Sequence, residues 1–259
     1  MRAGRACMQH SGMTSHTPLD AAIEVLRSPR LPAGDDERFV GFGVMGLPFA
    51  GGHYLALRHV SATSYSPGYR SVWHRDPDGL WTFYATTPAQ ESCARYFSSA
   101  TPNDAVQCDI DVAWVTPWSL LVAIPGLLEW HMDIRATLST RLMSTVGARL
   151  PAGAWTNPLV LGALGRVVGP SLHAGRVRLS GTAPNGQRFM MAPAQVWSVA
   201  QSRAVLRDVD LGPVGPLHRQ ARLAGFRPPQ RGLFVVGSGH FETFNPGRHR
   251  APEGVGYAQ

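Results

Sequence analysis

No lysine occurs in this chain of 259 residues, so all 24 of its basic side chains are arginines. That absence excludes Schiff-base catalysis and any nucleotide site built around a P-loop or kinase lysine. Cysteine is scarce: Cys7, Cys93 and Cys108 are odd in number, far apart and never paired as C-x-x-C. Neither a disulfide framework nor a zinc knuckle is indicated, and reduced thiols of a cytoplasmic protein are the expectation. Long apolar runs are missing as well. The longest, Leu159 to Val168, is interrupted by Arg166 and falls far short of the roughly 20 residues that span a bilayer. Arg2 and Arg5 are followed by no apolar stretch, so no secretory signal is read.

Charged residues make up only 16%, yet the formal net charge is +7. The arginines run from Arg2 to Arg250, interleaved with acids and without a recognition motif, so no nucleic-acid partner is expected. Gly41-Phe42-Gly43-Val44-Met45-Gly46 matches G-x-G-x-x-G. It follows Asp35-Asp36-Glu37-Arg38 rather than a long apolar strand and precedes Pro48 rather than a helix, so it reads as a flexible glycine-rich segment and not a dinucleotide site. The hydrolase elbow G-x-S-x-G is absent. His53 and His59 lack a third ligand. His74-Arg75-Asp76 and His240-Phe241-Glu242 read as surface ion pairs. No metal and no cofactor is expected.

What is present is a rhythm of short extended segments. Residues 1–16 read as a disordered leader. Thr17-Pro18-Leu19-Asp20 then opens a helix to about Arg27: Thr17 caps, Pro18 suits the first turn, and Asp20 favours the positive end of the dipole. Gly52 to Ala62 reads as a strand, Tyr69–Arg75 and Leu80–Thr86 as a hairpin turned at Asp76-Pro77-Asp78-Gly79, and Ser92 to Ser98 as a further strand. Val106–Val115, Ser119–Ile124 and Leu127–Arg135 form a meander. Residues 137–172 break the pattern. Leu138, Leu142, Val146 and Leu150 form the stripe of one helix, and Asn157-Pro158 opens a second, apolar nearly all round and expected to be buried or to lie across a barrel mouth. Strands return through Asn185-Gly186, Val196–Val199 and Leu233–Thr243, with a Pro/Gly/Arg-rich loop over 207–232 and a frayed tail from 246. The expected fold is mainly β, an antiparallel barrel or sandwich with a two-helix insertion and an N-terminal helix. It forms one domain over 17–245.

Alternation gives the meander a polar face holding Asp109 and Asp111 on one strand and Glu129, His131, Asp133 and Arg135 on another. The strand between them, Ser119–Ile124, is apolar on both faces, which suggests cover on both sides. A lined polar face would make Asp109, Asp111, His131 and Asp133 an acid–base cluster, burial raising a carboxylate into a usable proton donor. A bathed face would make them ordinary surface. Trp73, Tyr84, Tyr96, Trp114 and Trp130 fall on expected β segments and serve equally as core or as the wall of an apolar cavity.

Two β halves with hairpins at Asp76–Gly79 and Asn185–Gly186, bridged by helices, loosely resemble lipocalin-like barrels of the carotenoid-hydratase and AttH type over residues 38–244. The resemblance implies a β-lined hydrophobic cavity and, in the hydratases, a carboxylic acid that protonates an alkene. The helical insertion departs from that pattern. Three readings stay open: a binder of an apolar isoprenoid or acyl-type small molecule, a hydratase, isomerase or cyclase using Asp109 or Asp111 with His131, and an interaction module acting through 207–232. The oligomeric state is not legible.

Overall fold

The computed structural model describes residues 17–101 and 105–250. Helix α1, Pro18–Arg27, starts where Thr17 accepts a hydrogen bond from the Asp20 backbone N–H at 3.1 Å. It buries Ala21, Ala22 and Val25. Four strands follow: β1 Glu37–Pro48, β2 Tyr54–Thr63, β3 Tyr69–Arg75 and β4 Trp81–Ala85. The β3–β4 turn has the expected chemistry, with Asp76 Oδ1 accepting from Leu80 N at 2.8 Å and Gly79 at φ +95°.

The segment expected as a strand over 92–98 is instead the short helix α2, Ala94–Phe97, flanked by single 3₁₀ turns. Its alternating sequence is overridden because Ala94, Tyr96 and Phe97 are all buried, as one helical turn packed into the core allows and a half-exposed strand does not. Strand β5, Val106–Gln107, pairs in parallel with β4, so the sheet is mixed rather than purely antiparallel. The meander consists of β6 Asp111–Thr116, β7 Ser119–Ile124 and β8 Leu128–Arg135. Two helices come next, α3 Leu138–Arg149 and α4 Pro158–Ser171, the latter capped by Asn157. The remaining strands are β9 Ser180–Thr182, β10 Arg188–Leu206, β11 Val209–Asp210 and β12 Leu233–Phe241.

The main path runs β5-β4-β3-β2-β1-β12-β10-β8-β7-β6. It curls strongly into a half-barrel. The long β10 makes this possible: its first half pairs with β12 and its second with β8. The two faces of the sheet bury different cores. Phe42 and Val44 of β1, Leu57 of β2, Phe234 of β12 and the inner residues of β7 and β8 form one. Tyr54, Tyr69, Trp73, Tyr96 and Phe241 anchor the other.

The first inserted helix departs from expectation, and the second is buried on one face only. Leu138 and Leu142 of the α3 stripe are exposed, at 87% and 63%. The helix packs by its small side instead: Ser144 Oγ accepts from Val196 N at 3.0 Å, and Gly147 lies against the Pro193 and Ala194 carbonyls. Backbone proximity and a satisfied strand N–H outweigh the apolar stripe. In α4 only one face is buried, through Leu161, Gly165, Val168 and Gly169, while Leu159 is 85% exposed. Of the expected tail, residues 246–250 are described, and His249 among them is buried; the leader over 1–16 lies outside the described residues. Among the described residues no helix is long and apolar enough to cross a membrane.

Glycines permit the curl. A Cβ on Gly41 would collide with the His59 carbonyl and stand 2.8 Å from Val60 Cα; one on Gly237, directly across the β1–β12 ladder, would stand 3.0 Å from Pro193 Cα. Gly41→Ala should therefore cost about 1–3 kcal/mol in a denaturant melt. Gly162→Ala, with nothing within 4 Å of the added methyl, should instead stabilise α4 by up to about 1 kcal/mol. Equal effects at the two sites would refute the account of the curl.

Two histidines set an acid limit. Burial, aided by the charges of Arg70 and of His53 respectively, lowers His59 and His74 from 6.5 to about 4. Far from forming a surface ion pair, His74 Nε2 lies 2.9 Å from His53 Nδ1. The unfolded chain takes up these protons below pH 6.5 while the folded chain refuses them until about pH 4, so stability falls as pH drops through that window. Each group contributes up to about 3 kcal/mol. Melting temperatures should decline from pH 6.5 to 4, and more shallowly in His59→Leu; an unchanged slope in that variant would count against the assignment.

Candidate functional site

On the face of the sheet opposite the Phe42–Phe234 core lies a cavity of about 180 Å³. Side chains that alternate along β2 and β3 supply its wall: Arg58 and Val60 from one strand, Tyr69 and Trp73 from the other. Gly41 and Gly237 leave the floor open, so the glycine-rich segment lies inside strand β1 and shapes the cavity. The helix α2 brings Tyr96 and Phe97, and α4 closes one side with Val168. The segment 226–229 crosses the opening, held by the Tyr54 hydroxyl donating to the Pro229 carbonyl at 2.7 Å.

Arg58 is the unusual member. It is half-buried and lines the cavity. Burial lowers its pKa, partly opposed by Cys93, Tyr54 and Tyr69. Its guanidinium carbon stands 4.6 Å over the Trp73 ring, and Nη1 donates to the carbonyls of Leu57 at 2.9 Å and Val44 at 3.3 Å. Among the described residues no carboxylate forms an ion pair with it. Buried charges are ordinarily paired; this one offers its remaining donors to the cavity.

Around it sit proton-bearing groups. Cys93 Sγ accepts from Trp73 Nε1 at 3.1 Å, and burial pushes its thiol up. Burial also raises Tyr65 to about 12 and Tyr69 well above its usual value. Tyr96 donates to Glu37 Oε2 at 2.7 Å, and Arg95 holds the other oxygen of that carboxylate at 2.9 Å. These phenols and the thiol stay protonated at neutral pH. They are donors, not bases.

Of the aromatic residues named from sequence, Trp73 and Tyr96 line the cavity. Tyr84, Trp114 and Trp130 belong to the core on the opposite face. Trp130 is fully buried there, its indole donating to Ser202 at 2.9 Å, and Trp114 packs edge-on against Phe234. Asp109, Asp111, His131 and Asp133 are all exposed and none lines the cavity. The alternation of β8 is regular, but it turns its polar face to solvent, where His131 meets Glu129 at 2.9 Å and Asp133 accepts from Ser119 at 2.7 Å. The central strand β7 is fully buried on one face only, with Leu121 and Ala123 partly open on the other. The second cover that an acid–base cluster would need is missing there.

Arg58 was missed from sequence because it is one arginine among 24. The available signal was its phase: Tyr54, Ala56 and Val60, its neighbours on the same face of the strand, are all apolar. No group of three His, Cys, Asp or Glu side chains among the described residues could hold a metal ion.

No protein-family model and no curated protein sequence matches the chain. Among solved structures, an acetoacetate decarboxylase from Legionella pneumophila subsp. pneumophila str. Philadelphia 1 is similar at a TM-score of 0.38 and 11% identity, covering 84% of this chain and 90% of that one. Similarity at this level says nothing about activity.

The exposed acids should be dispensable. Asp109→Asn and Asp111→Asn are expected to change unfolding free energy by less than about 0.5 kcal/mol and to leave ligand affinity unaltered. A tenfold loss of binding in either would return them to the site.

Proposed function

We propose that this protein binds a small apolar carboxylic acid in the half-barrel cavity, with Arg58 receiving the carboxylate. The buried guanidinium without an acidic partner carries this reading. A planar fork of donors matches a carboxylate in two places at once, and in an enclosed apolar site the pairing is stronger than in water. The volume bounds the ligand. A cavity of ~150 Å³ accommodates benzene, so one of about 180 Å³ suits a ring acid, a short acyl chain or a five-carbon isoprenoid acid. The β-lined apolar cavity is the feature that this reading shares with the lipocalin-like expectation.

A second reading, acid catalysis on the bound ligand, is favoured by Tyr69 and Cys93 beside Arg58. Among the described residues no Asp or Glu lines the cavity, so a hydratase or isomerase here would draw its proton from a phenol or thiol.

Arg58→Met tests the main reading in two ways. Binding of short apolar acids, followed by calorimetry, should weaken about tenfold to a hundredfold, the worth of a charge-assisted hydrogen bond. Stability without ligand should hold or rise, because an apolar side chain removes the cost of keeping an unpaired charge out of water. Retained acid binding, or a loss of stability of more than about 2 kcal/mol, would show that Arg58 is a structural residue.

A further inference from the structure

A second cationic feature stands at the opening of the same cavity. Arg178, in the connection from α4 to β9, and Arg227, in the segment leading to β12, both line the cavity. Arg176 and Arg222 are near enough that their charges act on Arg227. The Arg222 charge, then desolvation, then Arg176 and Arg178 hold that guanidinium below its ordinary pKa.

The arrangement is built, not incidental to a loose loop. Gln220 fastens the two segments together: its Oε1 accepts from Arg176 N at 3.2 Å, and its Nε2 donates to the carbonyls of Arg176 at 3.0 Å and Pro228 at 2.8 Å. The Trp81 indole donates to the Arg222 carbonyl at 2.9 Å. Backbone anchors on both sides therefore hold like charges in one place. Among the described residues none of the four arginines enters an ion pair. A cluster of one sign, fixed at the rim of a low-dielectric cleft, concentrates anions there.

We propose that the ligand is a dianion, with a carboxylate on Arg58 and a second anionic group, carboxylate or phosphate, on Arg178 and Arg227. This rests on the reading of Arg58 above. Apolar carbons span the interval, against Trp73, Phe97 and Val168. Both ends then meet guanidinium forks, which suit either oxyanion geometry. A monoacid satisfies only the inner receptor.

Calorimetry on the full chain with hexanoate, adipate and the phosphonate analogue of adipate separates the cases. On the unaltered protein a dianion should bind at least about tenfold more tightly than hexanoate, and its affinity should fall more steeply with added salt. Arg178→Gln combined with Arg227→Gln should abolish that advantage, adipate then binding no more than about twofold more tightly than hexanoate, since one charged contact is worth about tenfold or more. A larger gain for the phosphonate than for adipate assigns the outer group as phosphate; the reverse assigns a carboxylate. Dianions no tighter than hexanoate on the unaltered protein overturn the proposal while sparing the Arg58 reading. So does a double variant that slows association of all three acids alike with unchanged dissociation, because the rim then only steers. Binding of none of the three overturns both.

Discussion

Close approach of neighbouring backbones beneath the cavity is the constraint from which the rest of this molecule follows. A Cβ at Gly41 or Gly237 would strike the next strand, at Val60 Cα or Pro193 Cα. Glycine at both positions, opposite one another on β1 and β12, lets the ladder curl without collision. Arg58 and Val60 of β2 and Tyr69 and Trp73 of β3 stand on the same side of the sheet, where α2, α4 and residues 226–229 leave a cavity above them.

Into that space the fold places a charge. The environment of Arg58 moderates its desolvation without cancelling it: the Trp73 ring lies beneath the guanidinium, and two backbone carbonyls take Nη1. Such contacts are weaker than an ion pair, so the folded protein holds an interaction in reserve. The arginines at the rim repeat the device at the surface, their backbone segments tied by Gln220 and, among the described residues, without ion-pair partners. A binding site that keeps donors unsatisfied in the free state gains affinity at the expense of stability, a trade-off common at functional positions.

Much of the local structure was legible from residue chemistry. Thr17 and Asn157 mark helix starts, and Asp76 with Gly79 marks a tight turn. The strict alternation of Glu129, His131, Asp133 and Arg135 foretells β8. Each is a local rule, in which a side chain meets its own or the next turn of backbone. The failures share a cause as well. The Leu138/Leu142 stripe looked like a buried face and is exposed, because α3 docks through Ser144 and Gly147. The 92–98 segment looked like a strand and became a turn of helix, because packing buries Tyr96 and Phe97 together.

Within the sequence itself lay the exclusion of lysine chemistry, the β-rich character, the positions of turns and caps, and the polar face that carries Asp109, Asp111, His131 and Asp133. Residue type and spacing act over a few positions, and these features need no more. Which side of the sheet faces water, which aromatics line a space rather than fill one, and which arginine is buried were decided only by the tertiary structure. Enclosure depends on where segments distant in sequence cover the sheet: α2, α4 and residues 226–229 meet around Arg58, while Glu129, His131 and Asp133 of β8 stay open to solvent.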